Sequence, residues 1–162
     1  MQSDPIIGRV FQINVSQGGV PKHGQVEAVV TELGIVGDDQ HHKKVHGGPD
    51  RALCLYSLER IMALQAEKHP IFPGAIGENL TLAGMDWDSL APGAKLRLGE
   101  QVLIEITRYT TPCQLITPYF LGEDSDRVSQ QLYQGWSRLY ARVLVTGTLR
   151  VGDEVEVLSE DR

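Results

Sequence analysis

Short apolar runs with a two-residue period, each closed by glycine or proline, constrain this chain more than any other feature. Lys95-Leu96-Arg97-Leu98 alternates, and Val102, Ile104 and Ile106 alternate against Glu105 and Thr107. A strand sends successive side chains to opposite faces, so this period makes one dry face and one wet face. Val143-Leu144-Val145 and Val155-Glu156-Val157 behave similarly. Residues 6–15 read as a first strand ended by Ser16-Gln17-Gly18-Gly19, residues 26–35 lean towards β, and residues 52–56 form a short buried strand. Two segments match each other without gaps. Leu96-Arg97-Leu98-Gly99-Glu100-Gln101-Val102-Leu103-Ile104 aligns on Leu149-Arg150-Val151-Gly152-Asp153-Glu154-Val155-Glu156-Val157, and each reads as a hairpin with Gly and an acid at its reversal.

Helical periodicity is scarce. Ser57 can cap a helix in which Leu58, Ile61, Met62 and Ala66 recur at helical spacing, with Pro70 as its stop. A second helical pattern runs over residues 124–133, with Val128 and Leu132 inward and Gly135 beyond its end. The expected architecture is mainly β, a β-barrel or strongly curved mixed sheet with one or two short helices. At 162 residues the chain is expected to form a single domain over residues 1–162.

Composition narrows the function. Fifteen basic against twenty-one acidic side chains give a formal charge of −6, so a nucleic acid backbone is not the expected partner. No apolar run is long enough to span a bilayer, so no membrane is expected. Met1-Gln2-Ser3-Asp4-Pro5 lacks the basic and apolar regions of a signal peptide. Two cysteines make no disulfide framework, and the expected location is a reducing cytoplasm.

Five places bear on chemistry. Cys113 follows Pro112 at a strand exit with Arg108 near in sequence, a setting open to a nucleophile, a soft-metal ligand or a structural thiol. Cys54, between Leu53 and Leu55, reads as a small core residue. His46-Gly47-Gly48-Pro49-Asp50-Arg51 joins glycines that admit an anion to an Arg that can clamp it; a tight turn is the plainer reading. His41 and His42 match no zinc spacing, and read as part of a solvated loop. Asn79, after Gly77-Glu78, has an amide able to read a heterocycle edge or cap a turn.

Taken in order, His46-Gly47-Gly48-Pro49-Asp50-Arg51-Ala52, Pro73-Gly74-Ala75-Ile76-Gly77-Glu78-Asn79-Leu80 and Thr111-Pro112-Cys113 resemble the MOSC domain family, named for the C-terminal domain of molybdenum cofactor sulfurases. Trp136-Ser137-Arg138-Leu139-Tyr140-Ala141-Arg142-Val143 and Gly152-Asp153-Glu154-Val155 resemble its C-terminal part. The resemblance implies a β-barrel-like MOSC fold and binding of molybdenum cofactor (molybdopterin). Cys113 is then the catalytic residue and metal ligand, and His46, Gly47, Gly48, Arg51, Asn79, Arg108 and Thr111 are the cofactor-binding residues. It implies an oxidoreductase that reduces small N-hydroxylated bases, with electrons from an external donor. The alternative it leaves is a sulfur carrier with a persulfide on Cys113, fed by a sulfur donor protein, or a carrier of the cofactor. A barrel that binds another small anion is a third possibility. The pyridoxal-phosphate domain of the sulfurases has no counterpart in this chain. One departure stands out. Many bacterial members place Arg three residues before the Cys, where this chain has Thr110, and Arg108 lies further back.

Overall fold

The computed structural model describes residues 7–39 and 48–159. The alternating runs form β1 (Ile7–Val15), β2 (His23–Gln25), β3 (Glu27–Thr31), β4 (Gly34–Ile35) and β5 (Leu53–Ser57). After the helix α1 (Leu58–Ala66) come β6 (Leu80–Ala83), β7 (Lys95–Leu98), β8 (Val102–Tyr109), β9 (Leu139–Val145), β10 (Gly147–Arg150) and β11 (Glu154–Leu158). Seven strands pair in the order β11-β7-β8-β9-β5-β6-β1, and a β1–β11 pairing closes the ring into a barrel. Closure removes the two open edges that a flat sheet would expose. β1 serves three neighbours, β11 through Ile7–Arg9, β6 through Arg9–Ile13 and β2 through Ile13–Val15, and its ladder with β6 shifts register between Val10 and Gln12.

Only one barrel pairing, β5–β6, is parallel, and α1 lies in its crossover. Ser57 caps the helix through its hydroxyl, which accepts from the Arg60 N–H at 3.1 Å. Ile61 and Leu64 face the barrel, whereas Met62 is 56% exposed. The inward stripe is therefore narrower than the periodicity predicts. Leu53, Leu55, Leu80, Leu82, Leu96, Leu98, Ile104 and Leu139 are buried in one core. Each contributes roughly 1.5–3 kcal/mol relative to exposure. A small sheet, β10-β3-β4, sits beside the barrel.

Two expectations need correction. Residues 124–133 form no α-helix. They hold a 3-10 turn over Ser125–Val128, and although Val128 is buried, Leu132 is 62% exposed. The segment has one apolar anchor and several turn-forming side chains, too little to sustain an isolated helix. The Asp124 carboxylate caps Asp126 N–H instead, and Arg127 forks onto Glu67 at 3.0 and 2.8 Å. Arg127 also stacks on Trp136 and Tyr133, 4.0 and 4.7 Å from the ring centres. The second correction concerns the matching segments. Residues 96–104 are a true hairpin, with Leu98 opposite Val102. In residues 149–157 the two strands part, β10 pairing with β3 and β11 with β7. The turn is as expected, since Asp153 accepts from Arg150 N–H at 2.8 Å, but it is a corner between sheets.

Candidate functional site

The site lies on the outer face of the barrel wall. Leu53 and Leu55 point inwards with their partners Ala141 and Leu139, so the period of two sends Cys54 and its partner Tyr140 outwards. Both are nevertheless buried, 7% and 8% exposed. Their cover comes from distant segments, which leave a cavity of about 60 Å³ lined by Val20, Lys22, Cys54, Asn79, Cys113, Arg138 and Tyr140 among others. Cys54 is thus buried, as the sequence expects, and is at the same time a wall of the cavity. Burial pushes its thiol up to about 11.

Cys113 faces Cys54's cavity from the other side. The chain leaves β8 at Tyr109, and Cys113 opens a 3-10 stretch over Gln114–Tyr119 with its carbonyl accepting from Ile116 N–H at 3.3 Å. Its thiol is half-buried. Thr110 is buried, and its N–H donates to the Arg138 carbonyl at 3.1 Å.

Arg138 is the residue that sequence reasoning missed. Its side chain donates through Nη1 to the Ile76 carbonyl at 2.9 Å and through Nη2 to the Thr111 carbonyl at 3.3 Å. It thereby ties the cysteine segment to the glycine-framed segment before β6. The residue is 4% exposed, and its Nε–H has no partner among the described residues. The available signal was an Arg at the head of the apolar run Leu139–Val145, a place where a charge needs a reason to be buried.

Asn79 also reaches the cavity, but both ends of its amide are engaged. Its oxygen accepts from Cys54 N–H at 2.9 Å, and its nitrogen donates to Asp38 Oδ2 at 2.8 Å. Asp38 Oδ1 accepts from Lys22 Nζ at 2.5 Å and from Ser16 N–H at 3.0 Å. This ion pair is buried, with side chains 7% and 5% exposed. Asn79 is therefore the knot that holds β5, β6 and the Asp38 loop together beneath the cavity. Next to it, Glu78 is fully buried, and burial pushes its carboxyl up to about 7.

The remaining candidates spread outwards. Arg51 is half-buried with its guanidinium 5.6 Å from the centre of the Tyr140 ring, at the edge of the same patch. Arg108 is exposed on β8, opposite Tyr140 in register. The cations that line the cavity with Cys113 are thus Arg138 and Lys22, and Arg108 is not among its lining residues. Thr111 is exposed and contributes its carbonyl to Arg138. Gly48 is exposed with a φ of 94° that favours glycine. His46 and Gly47, with His41 and His42, lie outside the described residues.

The MOSC family pattern matches residues 42–156, most of the chain. This protein belongs to the MOSC domain family. It is 36% identical to the protein YiiM of Escherichia coli over 138 residues, which cover 82% of this chain and 60% of that protein. A protein of Gibberella moniliformis named a reductase is 31% identical over 77% of this chain, and the match covers 22% of that protein. The chain thus spans less than two thirds of the length of these relatives. The crystal structure of YiiM from Escherichia coli superposes with a TM-score of 0.70 at 25% identity, covering 97% of this chain and 72% of that one. YiiM from Geobacillus stearothermophilus has the same fold, with a TM-score of 0.75 at 23% identity over 94% of this chain and 75% of that one. Among the described residues of this MOSC protein, no helix is long and apolar enough to cross a membrane.

Proposed function

We propose that this MOSC protein binds molybdenum cofactor through Cys113 and works as an oxidoreductase on small N-hydroxylated compounds, with electrons from an external donor. The observation that carries this reading is a half-buried thiol sharing a small cavity with a buried guanidinium. A thiol is the soft ligand a molybdenum centre uses, and a buried cation suits an anionic cofactor. The donor set fits. Cys113 would be the ligand that the protein gives, and the cofactor's own sulfurs would supply others. The cavity of about 60 Å³ is half-open and far below the ~300 Å³ of an ordinary ligand pocket, so it suits the metal end of the cofactor and leaves the ring system at its mouth. When bound, the centre would supply two-electron chemistry. The protein would supply the Cys113 thiol, hold its segment in place through Arg138, and restrict water with Val20, Ile76 and Ile116. The Gibberella relative named a reductase supports the redox reading.

The same cavity also supports a second reading, a sulfur carrier, because it has room beside Cys113 for one added sulfur atom. Metal and pterin analysis of protein made in a cofactor-competent host separates them. Molybdenum and pterin near one per chain, lost in Cys113→Ser with the fold intact, is the expected result. A persulfide without molybdenum selects the carrier. Metal and sulfur content unchanged in Cys113→Ser removes both.

A further inference from the structure

Cys113 sits on a segment, residues 112–122, whose hydrogen bonds are mostly internal. Ile116 N–H donates to the Cys113 carbonyl at 3.3 Å, Phe120 N–H to the Thr117 carbonyl at 3.1 Å, and the Thr117 hydroxyl to the Gln114 carbonyl at 2.9 Å. Among the described residues, the only hydrogen bond from this segment to a side chain elsewhere runs from Leu121 N–H to His69 Nδ1, at 3.0 Å. His69 is itself well held. Its N–H donates to the Leu64 carbonyl of α1 at 3.1 Å, its ring meets the Phe120 ring edge-on at 5.4 Å, and its side chain is 10% exposed. Between Cys113 and this fastening lie Leu115 and Ile116, which line the cavity.

The direction of the bond fixes the state of the ring. A backbone N–H can only donate, so Nδ1 must accept, and the proton of the neutral ring sits on Nε2. Nε2 faces Glu67 Oε1 at 3.3 Å, which accepts from it. A second proton has to go on Nδ1, where it sets donor against donor, and the Leu121 bond must break. The charges around the ring do not offset that loss. Arg127, from the turn over Ser125–Val128, already forks onto Glu67 at 3.0 and 2.8 Å and holds that carboxyl below its usual range. Glu67 is thus an anion that has its cation, and Phe120, on the segment itself, offers no charge.

We propose that His69 is a positioning residue for the thiol: neutral, it latches the Cys113 segment over the cavity, and protonated, it releases the segment and exposes Cys113. The inference goes beyond the cofactor reading and holds for any group that Cys113 carries. It gives the site a pH dependence opposite to that of a thiol, whose reactivity falls with its thiolate fraction as pH falls.

The test uses full-length, isotope-labelled protein without cofactor, between about pH 8 and about pH 5, the range in which histidines change charge. Long-range NMR spectra of the ring report its tautomer and its titration. Amide exchange, corrected for its intrinsic pH dependence, reports the Leu121 N–H. The expected result is an Nε2–H tautomer at the upper end and a roughly fivefold loss of Leu121 protection that follows the ring's titration, the worth of one hydrogen bond. Amides of β5, paired on both sides, should keep their protection. In parallel, Cys113 is labelled with a pyridyl disulfide, which reacts with thiols in mild acid, and read by peptide mapping. Wild-type rates are divided by those of His69→Asn, whose amide oxygen can accept from Leu121 and cannot be protonated, so that thiol ionisation cancels. The ratio should rise several-fold towards the acid end, and His69→Leu, without an acceptor, should label fast throughout. The NMR arm needs only the wild-type protein, so a poorly folded variant leaves it decisive. A ring that stays neutral down to about pH 5, a neutral ring with its proton on Nδ1, or Leu121 protection that does not follow the ring overturns the proposal. Neither readout depends on molybdenum, so the latch and the cofactor reading stand or fall separately.

Discussion

Replacing Glu78 by Gln converts a buried ionisable group into a permanently neutral one of the same shape. The side chain is 0% exposed, one carboxyl oxygen accepts from the Thr81 hydroxyl at 3.2 Å, and the other has no partner. Burial raises the carboxyl from 4.5 to about 7, with the Thr81 hydroxyl and the Arg138 charge pulling the other way. The sign follows from the proton balance. The folded state keeps a proton that the unfolded chain releases near 4.5, so this group's favourable contribution is complete below 4.5 and is lost as pH rises through about 7. The gap corresponds to about 3 kcal/mol of wild-type stability, an order-of-magnitude figure. Gln carries no such cost, and its oxygen can still accept from Thr81. Urea unfolding of both proteins between about pH 4.5 and about pH 8 gives stability from the midpoint and slope. Every other titrating group is common to the pair, so the difference between the two curves isolates Glu78. The expected outcome is that Glu78→Gln gains about 2–3 kcal/mol on wild type across that range, with most of the change before pH 7. Parallel curves would refute the reasoning, since they would mean that Glu78 titrates as it does in the unfolded chain.

The buried Lys22–Asp38 pair should behave asymmetrically: Asp38→Asn leaves an unpaired ammonium and is expected to cost about 3–5 kcal/mol in urea unfolding, whereas Lys22→Met with Asp38→Leu should cost clearly less. Thiol labelling of native, cofactor-free protein should modify Cys113 well before Cys54, because Cys113 is half-buried while the Cys54 thiol is buried and pushed up to about 11; peptide mapping by mass spectrometry reads the order. Cys54→Ser should cost only about 1 kcal/mol, since its hydroxyl meets a cavity in place of core hydrocarbon; a loss of several kcal/mol would return Cys54 to the core.

The barrel was legible because its wall has a local code. Alternation in residues 95–109 names the strands and their dry face, and Ser57 with Ile61 names the helix. What alternation omits is the partner. Residues 149–157 carry the same turn chemistry as residues 96–104, yet β10 leaves for another sheet because β3 offers it a ladder from Glu27 to Val30. Residues 124–133 failed as a helix for a related reason. The forces that shape them, a carboxylate fork from Glu67 and the face of Trp136, come from outside the segment.

The site was legible in part, and the division falls where local reasoning ends. Cys113 stood out because proline and a strand exit are neighbours in sequence. Cys54 is buried as its leucine neighbours suggest, but they do not say that it also walls a cavity. With Leu53 and Leu55 inward, the period of two already turns Cys54 outward; its low exposure comes from a cover that includes residues 113–116, about sixty positions away. Asn79 shows the same limit from another side. Its amide is chemically suited to a heterocycle, and only the fold reveals that Cys54 N–H and Asp38 occupy it. Arg108 and Arg138 complete the argument. Sequence distance favours Arg108 as the cation for Cys113, but it lies on the exposed end of β8, while Arg138 arrives from β9 and bonds the carbonyl of Thr111. The thiol's surroundings are built by packing over the outside of a barrel, so they follow from which segments lie above β5 and β9, information that no single run of residues contains.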